Sequence, residues 1–397
     1  MGVTSRGGQR ADVPSPRRIV VVSAAVGAGH DGPADEIARR LRRRGHRVAR
    51  RDGLSILPLG LGRALRAAYF AQLRLAPTSW AAVLAACAGG RPAAGIHHAL
   101  DRLTDRTAAL LGGPADAVVS TYPLVSQLLG RLRYEGRLEA PVLSYLTDAA
   151  VHPLWHHAGV DAVLAPHQHL AIQVRAFAPD GLVLGCAPAV APGFGAPVPA
   201  TRVAAVRRRL RVPDRGVFAL VTSGSAGTGD VAATAVDLAA LGAVPVVACG
   251  RNAALRRRVE RLGVGPALGW VEDMPCLLAA ADVVVQNAGG LACWEALVAG
   301  RPVVTHRALP GHGAANAAVL ESAGLVPWTR SAAELGTLLS APAPIPAPLT
   351  GPDPAEVVER AARGQLLTPM GGGPEPVDPS RRVLPATARP APMEVAT

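Results

Sequence analysis

Short β-branched runs alternate with stretches of helical period along most of the chain, and the alternation starts twice. Arg18 to Ala24 (RIVVVSA) reads as a buried strand; a glycine-rich turn follows, then a helix from about Pro33 to Arg44 and a second strand near His46 to Arg50. That is the opening of a βαβ unit. Further strands are predicted at Ala117 to Ser120, Val142 to Leu146, Ala162 to Ala165 and Leu182 to Leu184, with helices between them. A proline- and glycine-rich passage from Pro188 to Pro199 interrupts the pattern. It then resumes with a helix at Thr201 to Leu210, a strand at Val217 to Thr222, a glycine loop and a strand at Val244 to Cys249. A helix at Ala253 to Leu262 and strands at Val283 to Gln286 and Val303 to His306, with a helix between that last pair, complete it. Such alternation predicts an α/β chain of two doubly wound, Rossmann-like domains facing each other across a cleft. The expected boundaries are a disordered leader at 1–16, one domain at 17–198, a second at 199–340, and a proline-rich tail at 341–397. The tail holds a short helix near Ala355 to Ala362 and is otherwise disordered, with 367–397 the clearest part.

Bulk properties narrow the function classes. A length of 397 residues exceeds one ordinary core and fits two. The net charge of +12 is carried by arginine alone, since no lysine occurs, and aromatic residues make up 3%. Nucleic-acid binding wants aromatic and hydrogen-bonding groups interleaved with the charge, so an anionic membrane surface is the better partner. The five cysteines lie no closer than 17 residues, the gap between Cys276 and Cys293, which suggests neither a disulfide framework nor a CxxC metal site. A reduced, cytoplasmic protein is expected. No secretory signal follows the polar first 16 residues, and the longest uncharged run, Gly181 to Thr201, is too rich in proline to span a membrane.

Two glycine loops hold the candidate chemistry. Gly27-Ala28-Gly29-His30-Asp31-Gly32 satisfies GxGxxG after a strand, with Asp52 about 20 residues on, as in a dinucleotide fingerprint. Gly32-Pro33 departs from the usual helix-packing glycine, which ranks an NAD-dependent oxidoreductase below a reading based on the second half. His30 lies where a helix N-terminus disfavours imidazolium, so it should stay neutral and able to take a proton at pH 7; a plain capping histidine is the alternative. Downstream, Asn287-Ala288-Gly289-Gly290 joins a buried strand to a helix and offers backbone amides to a phosphate. Glu295 is spaced to accept from two ribose hydroxyls. Ser223-Gly224-Ser225, after the strand at Val217 to Thr222, supplies a second loop that could close over a diphosphate.

These residues belong to longer matches. VGAGH at Val26 to His30, STYPL at Ser120 to Leu124, TDAAVHPLW at Thr147 to Trp155, GWVEDM at Gly269 to Met274, NAGGLACWEALVAGRPVV at Asn287 to Val304 and GHGAAN at Gly311 to Asn316 occur in that order. In them the chain resembles the lipid glycosyltransferases that include monogalactosyldiacylglycerol synthase and processive diacylglycerol glucosyltransferase. It is more distantly similar to the N-acetylglucosaminyl transferase that forms lipid II. The resemblance covers about residues 17 to 340 and implies the GT-B fold, an inverting hexosyl transfer from a UDP-sugar to a lipid acceptor such as diacylglycerol, and neither cofactor nor catalytic metal. It implies His30 as general base, with Asp148 orienting His30 or the attacking hydroxyl. Backbone at Val271 and the side chain of Met274 would hold uracil, Gly289 and Gly290 the phosphates, and Glu295 the ribose, with Ser223, Gly224, Ser225, His312 and Asn316 completing the donor side. Gly27, Gly29, Tyr122, His152 and Trp155 would face the acceptor. Where relatives carry Gln-Glu or Gln-Gln ahead of the asparagine, this chain has His312-Gly313, so the transferred sugar is not implied.

The acceptor half has a membrane signal of its own. Leu59 to Cys87 mixes Leu61, Leu65, Tyr69, Phe70, Leu73 and Trp80 with Arg63, Arg66 and Arg74, compatible with basic amphipathic helices lying in a headgroup layer at the inner face of the cell membrane. Ordinary domain surface is the plain alternative. A polyprenyl or soluble acceptor in place of diacylglycerol also fits. His152, His156, His157, His167 and His169 invite a zinc reading, but Pro153 breaks helical spacing and only Asp148 and Asp161 accompany them, so no metal site is expected.

Overall fold

The computed structural model describes residues 15–57, 60–62, 64, 103–340, 348–365 and 367. Most of the predicted amphipathic segment from Leu59 to Cys87 therefore lies outside the described residues, as do the leader up to 14 and the tail from 368.

The first unit is a six-stranded parallel sheet in the order β2-β1-β3-β4-β5-β6. Its strands are β1 (Arg18–Ser23), β2 (Arg47–Asp52), β3 (Ala117–Ser120), β4 (Val142–Tyr145), β5 (Ala162–Ala165) and β6 (Val183–Gly185). Between them run α1 (Ala28–Arg43), α2 (Thr104–Leu111), α3 (Pro123–Tyr134) and α4 (Gln168–Phe177). β3, β4 and β5 are buried at every position, as a sheet covered on both faces demands.

The second unit begins with α5 (Ala200–Arg209) and alternates β7 (Phe218–Thr222), α6 (Val231–Ala240), β8 (Val244–Ala248), α7 (Ala253–Leu262), β9 (Ala267–Leu268) and α8 (Met274–Ala280). It continues through β10 (Val283–Gln286), α9 (Leu291–Val298), β11 (Val303–His306), α10 (His312–Ser322), β12 (Trp328–Thr329) and α11 (Ala332–Ser340). This sheet is also parallel and ordered β12-β11-β10-β7-β8-β9. In both sheets the chain order reverses at the first strand of the unit, β1 or β7. The crevices at the carboxyl ends, beside β1–β3 and β7–β10, are where such folds take ligands.

Three features differ from expectation. α1 begins at Ala28, five residues ahead of Pro33, because Gly27 enters in extended backbone (φ 170°) and the glycine loop itself winds into the first turn. Asp52, the acidic residue of the dinucleotide pattern, spends its Oδ1 on the amides of Ala25 (3.1 Å) and Leu54 (3.0 Å), so it pins two loops together rather than facing a ribose. The short edge strands β9 and β12 were not predicted, being two residues each and too brief to show a period.

The helix expected near Ala355 is α12 (Pro354–Ala362), and it docks on the first sheet instead of the second. Ala355, Val357, Val358, Ala361 and Ala362 pack with Ile37, Leu41 and Val119. Polar contacts at the rim hold it: Arg44 Nε donates to Glu359 Oε2 (2.6 Å), Arg363 Nη2 to Glu359 Oε1 (2.9 Å), and Arg40 Nη1 to Asp353 Oδ1 (3.1 Å). Partial burial opposes the Glu359 charge, yet Arg44 and Arg363 hold its carboxyl down at about 2. A depressed carboxylate adds stability above its ordinary value of 4.5 and loses it as pH falls toward about 2. Amide exchange in α12 should therefore quicken between pH 5 and pH 3 relative to the β-sheet core, and Glu359→Gln should flatten that difference; equal acid responses in both proteins would disprove the anchoring.

Candidate active site

His30 sits in the first turn of α1, beside the turn that leaves β3. Its Nδ1 lies 3.0 Å from the carbonyl oxygen of Thr121 and 2.8 Å from the Thr147 hydroxyl. A carbonyl only accepts, so Nδ1 carries the proton and Nε2 keeps a lone pair. The Thr121 hydroxyl donates back to the His30 carbonyl oxygen (3.0 Å) and fixes the turn. Burial lowers the affinity of His30 for a second proton, and the negative charge of Asp148 offsets this only in part. Tyr122 stands edge-on to the ring at 5.0 Å, and burial pushes its phenol up to about 12. Gly27 and Gly29 border open space, where a Cβ would meet nothing within 4 Å.

Two acceptor-side expectations change. Trp155 is fully buried, because the 3₁₀ turn Pro153–Trp155 drives its ring into the core, 6.3 Å beneath His30; it supports the cleft floor and does not line it. Asp148 does not hydrogen-bond His30. Its Oδ1 pairs with His312 Nε2 at 3.0 Å, across the cleft from the second unit. Burial opposes both charges, but their attraction prevails, holding the Asp148 carboxyl well below the usual range and raising His312. His152 is pushed down to about 4 by burial, and its Nδ1 is buried without a partner. Among the described residues no three His, Cys, Asp or Glu side chains gather as metal ligands; His167 instead accepts from the His169 amide to cap α4.

On the other wall, the phosphate turn is more committed than the sequence suggests. Gln286 Oε1 accepts from the amides of Ala288 (2.8 Å) and Gly289 (2.5 Å), leaving the amides from Gly290 onward for a ligand. Gln286 is held in turn by donating to Thr305 Oγ1 (2.6 Å). Gly289 has φ +70°, and a Cβ there would lie 2.7 Å from that of Asn316, so only glycine fits. Asn316 is likewise not free to meet a sugar: its Oδ1 accepts from Ala150 N of the first unit (2.7 Å) and its Nδ2 donates to Ala288 O (2.8 Å). The Ser223–Ser225 loop reaches the same cleft, with Ser225 Oγ 3.5 Å from the Ala28 amide. The hydroxyls of Thr222 and Ser223, Asn287 Oδ1 and His312 Nδ1 are buried without partners, so unsatisfied polar atoms cluster on this wall.

Glu295 lines a cavity of about 220 Å³ with Gly32, Asp35, Glu36 and Arg39 of α1 and Ala189 to Ala191. Val271 and Met274 pack half-buried on the second unit's core, and Asp273 caps α8 through the Cys276 amide (3.3 Å). Beside them stands a pair the sequence reading passed over. Trp270 is 53% exposed, with the Arg251 guanidinium 4.4 Å over its ring. An exposed tryptophan next to Val271 was the available signal; its arginine comes from another strand end and has no local signature.

Burial pushes Glu295 up to about 7, so the folded chain keeps a proton that the unfolded chain, at about 4.5, releases. Unfolding free energy should then fall as pH rises through that window, by on the order of 2 kcal/mol after allowance for solvent access. Urea denaturation at pH 5 and pH 8 should show Glu295→Gln losing much of that decline; parallel slopes in the two proteins would refute the burial argument.

Comparison with known proteins identifies the fold and a set of similar sequences. A family model described as monogalactosyldiacylglycerol (MGDG) synthase matches residues 96–178. The processive diacylglycerol beta-glucosyltransferase of Bacillus pumilus is 24% identical over 219 residues, 53% of this chain and 55% of that one. Monogalactosyldiacylglycerol synthase 1 of Arabidopsis thaliana is 26% identical over 242 residues, 57% of this chain and 45% of that one. The chain thus spans about half the length of the curated relatives it matches. Among solved structures, Arabidopsis thaliana UGT89C1 with UDP-L-rhamnose superposes with TM-score 0.52 at 15% identity, covering 88% of this chain and 96% of that one. Anabaena HepE with UDP-glucose gives 0.51 at 15%, covering 88% and 99%. The fold is GT-B, and the sequence is similar to the monogalactosyldiacylglycerol synthases and processive diacylglycerol glucosyltransferases.

Proposed function

We propose that the protein is an inverting glycosyltransferase that moves a hexosyl group from a UDP-sugar to a lipid acceptor such as diacylglycerol, without a metal. The observation that carries this reading is His30, with Nδ1 committed to a carbonyl and Nε2 left as a base, set across the cleft from the Gly290 turn. The diacylglycerol named for the similar proteins supports a lipid acceptor, and the nucleotides named for the structural neighbours support a UDP donor. Nε2 takes the proton of the acceptor hydroxyl while its oxygen bonds to the anomeric carbon from the face opposite the diphosphate. The bond from that carbon to the β-phosphate oxygen breaks, and UDP departs with the electron pair. The start of α9, with free amides and the positive end of its dipole, takes up the developing charge. The buried hydroxyls of Thr222 and Ser223 stand ready to bond the donor. Glu295 would meet the ribose, and Trp270 with Arg251 would give the base a flat, cationic wall.

Lipid access fits a protein held at the inner face of the cell membrane by its arginine excess. No helix among the described residues is long and apolar enough to cross a bilayer. Replacement of His30 by alanine should lower kcat with UDP-hexose and diacylglycerol vesicles by about 10² to 10⁴ while leaving UDP affinity within a few fold. A near-wild-type kcat would remove His30 from the chemistry. Flotation should carry the protein with anionic vesicles at low salt and release it at high salt. Transfer to a soluble hydroxyl with no vesicle binding would overturn the lipid half of the proposal, and calorimetric binding of NAD without UDP would overturn the whole.

A further inference from the structure

Asp148 follows Thr147, whose hydroxyl lies 2.8 Å from His30 Nδ1, and it bonds an imidazole of the other unit. His312 touches it directly, Nε2 to Oδ1 at 3.0 Å, while His30 feels its charge without a hydrogen bond. The other groups facing His30 are already engaged or neutral. Asp31, on the same helix, is taken by the Ser23 hydroxyl and by Arg50 Nη2 (2.9 Å). Thr121 and Thr147 hold Nδ1, Tyr122 and Trp155 present ring edges or faces, and His152 is kept neutral by burial. Asp148 is therefore the one uncommitted anion His30 would have if His312 were withdrawn.

His312 can be withdrawn, because it opens α10 in the second unit. Its register with Asp148 depends on the close seating of the units. One turn further on, Asn316 takes the Ala150 amide (2.7 Å), and at the neighbouring contact a Cβ on Gly32 would lie 2.3 Å from Leu291 Cδ2. The residue after His312 cannot take over its part. A Cβ on Gly313 would fall 2.6 Å from Leu309 Cβ and 2.8 Å from Asn287 O, so position 312 alone presents a side chain there.

We propose that His312 is a positioning residue for the transfer reaction: by engaging Asp148 across the cleft it offsets the pull of that carboxylate on His30, so apposition of the two units favours the neutral, lone-pair form of His30. With the units apart, the bare Asp148 carboxylate favours imidazolium at His30, which cannot accept a proton. The base is thus favoured when the cleft is closed, which helps guard the donor against activated water in the open state. This inference rests on the role given to His30 above, and its test separates the two.

The test is a pH titration of the full chain with ¹³C-labelled histidine, following the Cε1 resonance of His30, assigned with a His30→Gln sample. His312→Gln should raise the His30 midpoint by about one unit, and Asp148→Asn should lower it. The double variant should lie close to Asp148→Asn, above it only by the lost direct repulsion between the His312 and His30 charges. His312→Lys, which restores a cation, should return the midpoint toward wild type and decides the matter alone if Asp148→Asn does not fold. The same midpoint in wild type and His312→Gln overturns the proposal, as does a double variant that keeps the His312→Gln shift. The acid limb of kcat/KM for hexosyl transfer should move with the resonance. A resonance that moves while the acid limb stays put upholds the coupling and overturns instead the assignment of His30 as base.

Discussion

A charge pair shared between the two units, Asp148 from one and His312 from the other, is the contact around which the cleft is arranged. Buried ions are costly to desolvate, and each tolerates burial here only because the other is present. The pair draws the loop after β4 against the start of α10. That proximity sets Asn316 between Ala150 and Ala288, and it brings α1 against α9 so tightly that Gly32 has no room for a side chain. The contacts that fix His30 and the Gln286 turn lie within one unit each, and this pair sits where the two meet.

Parallel sheets explain why the meeting occurs there. Every strand in each sheet points the same way, so all the carboxyl-end loops gather on one rim, and two such rims face each other. Each rim supplies what the other lacks. The first unit gives a neutral imidazole fixed by a carbonyl, Thr121, while the second gives helix-start amides and unpaired hydroxyls. Proton removal from one reactant and charge uptake by the other are thus divided between two rigid frames.

Most strands were readable from the chain alone, because buried parallel strands are short, largely apolar runs rich in valine: Ala117 to Ser120, Ala162 to Ala165, Val283 to Gln286 and Val303 to His306 match residue for residue. The two-residue edge strands were not, since they carry too few residues for a pattern. At the site, residue types were legible and partnerships were not. Nothing local announces that His312 meets Asp148 164 positions away, or that Gln286 folds back on two amides of the glycine turn. Trp155 misled for a related reason: the resemblance implied a place facing the acceptor, and only the 3₁₀ turn after His152 reveals that it points into the core. Pairing across distance is a property of the packed chain.

The return of α12 to the first sheet gives the molecule a particular mechanical character. Both ends of the described chain are fastened to the same unit, so the second unit is a loop of the chain closed on its neighbour rather than a free terminal domain. A body held by one strand can twist about it in any direction. One held by two, as a door hangs on two pins, swings about the line that joins them, and its range of approach is limited before any side chain makes contact.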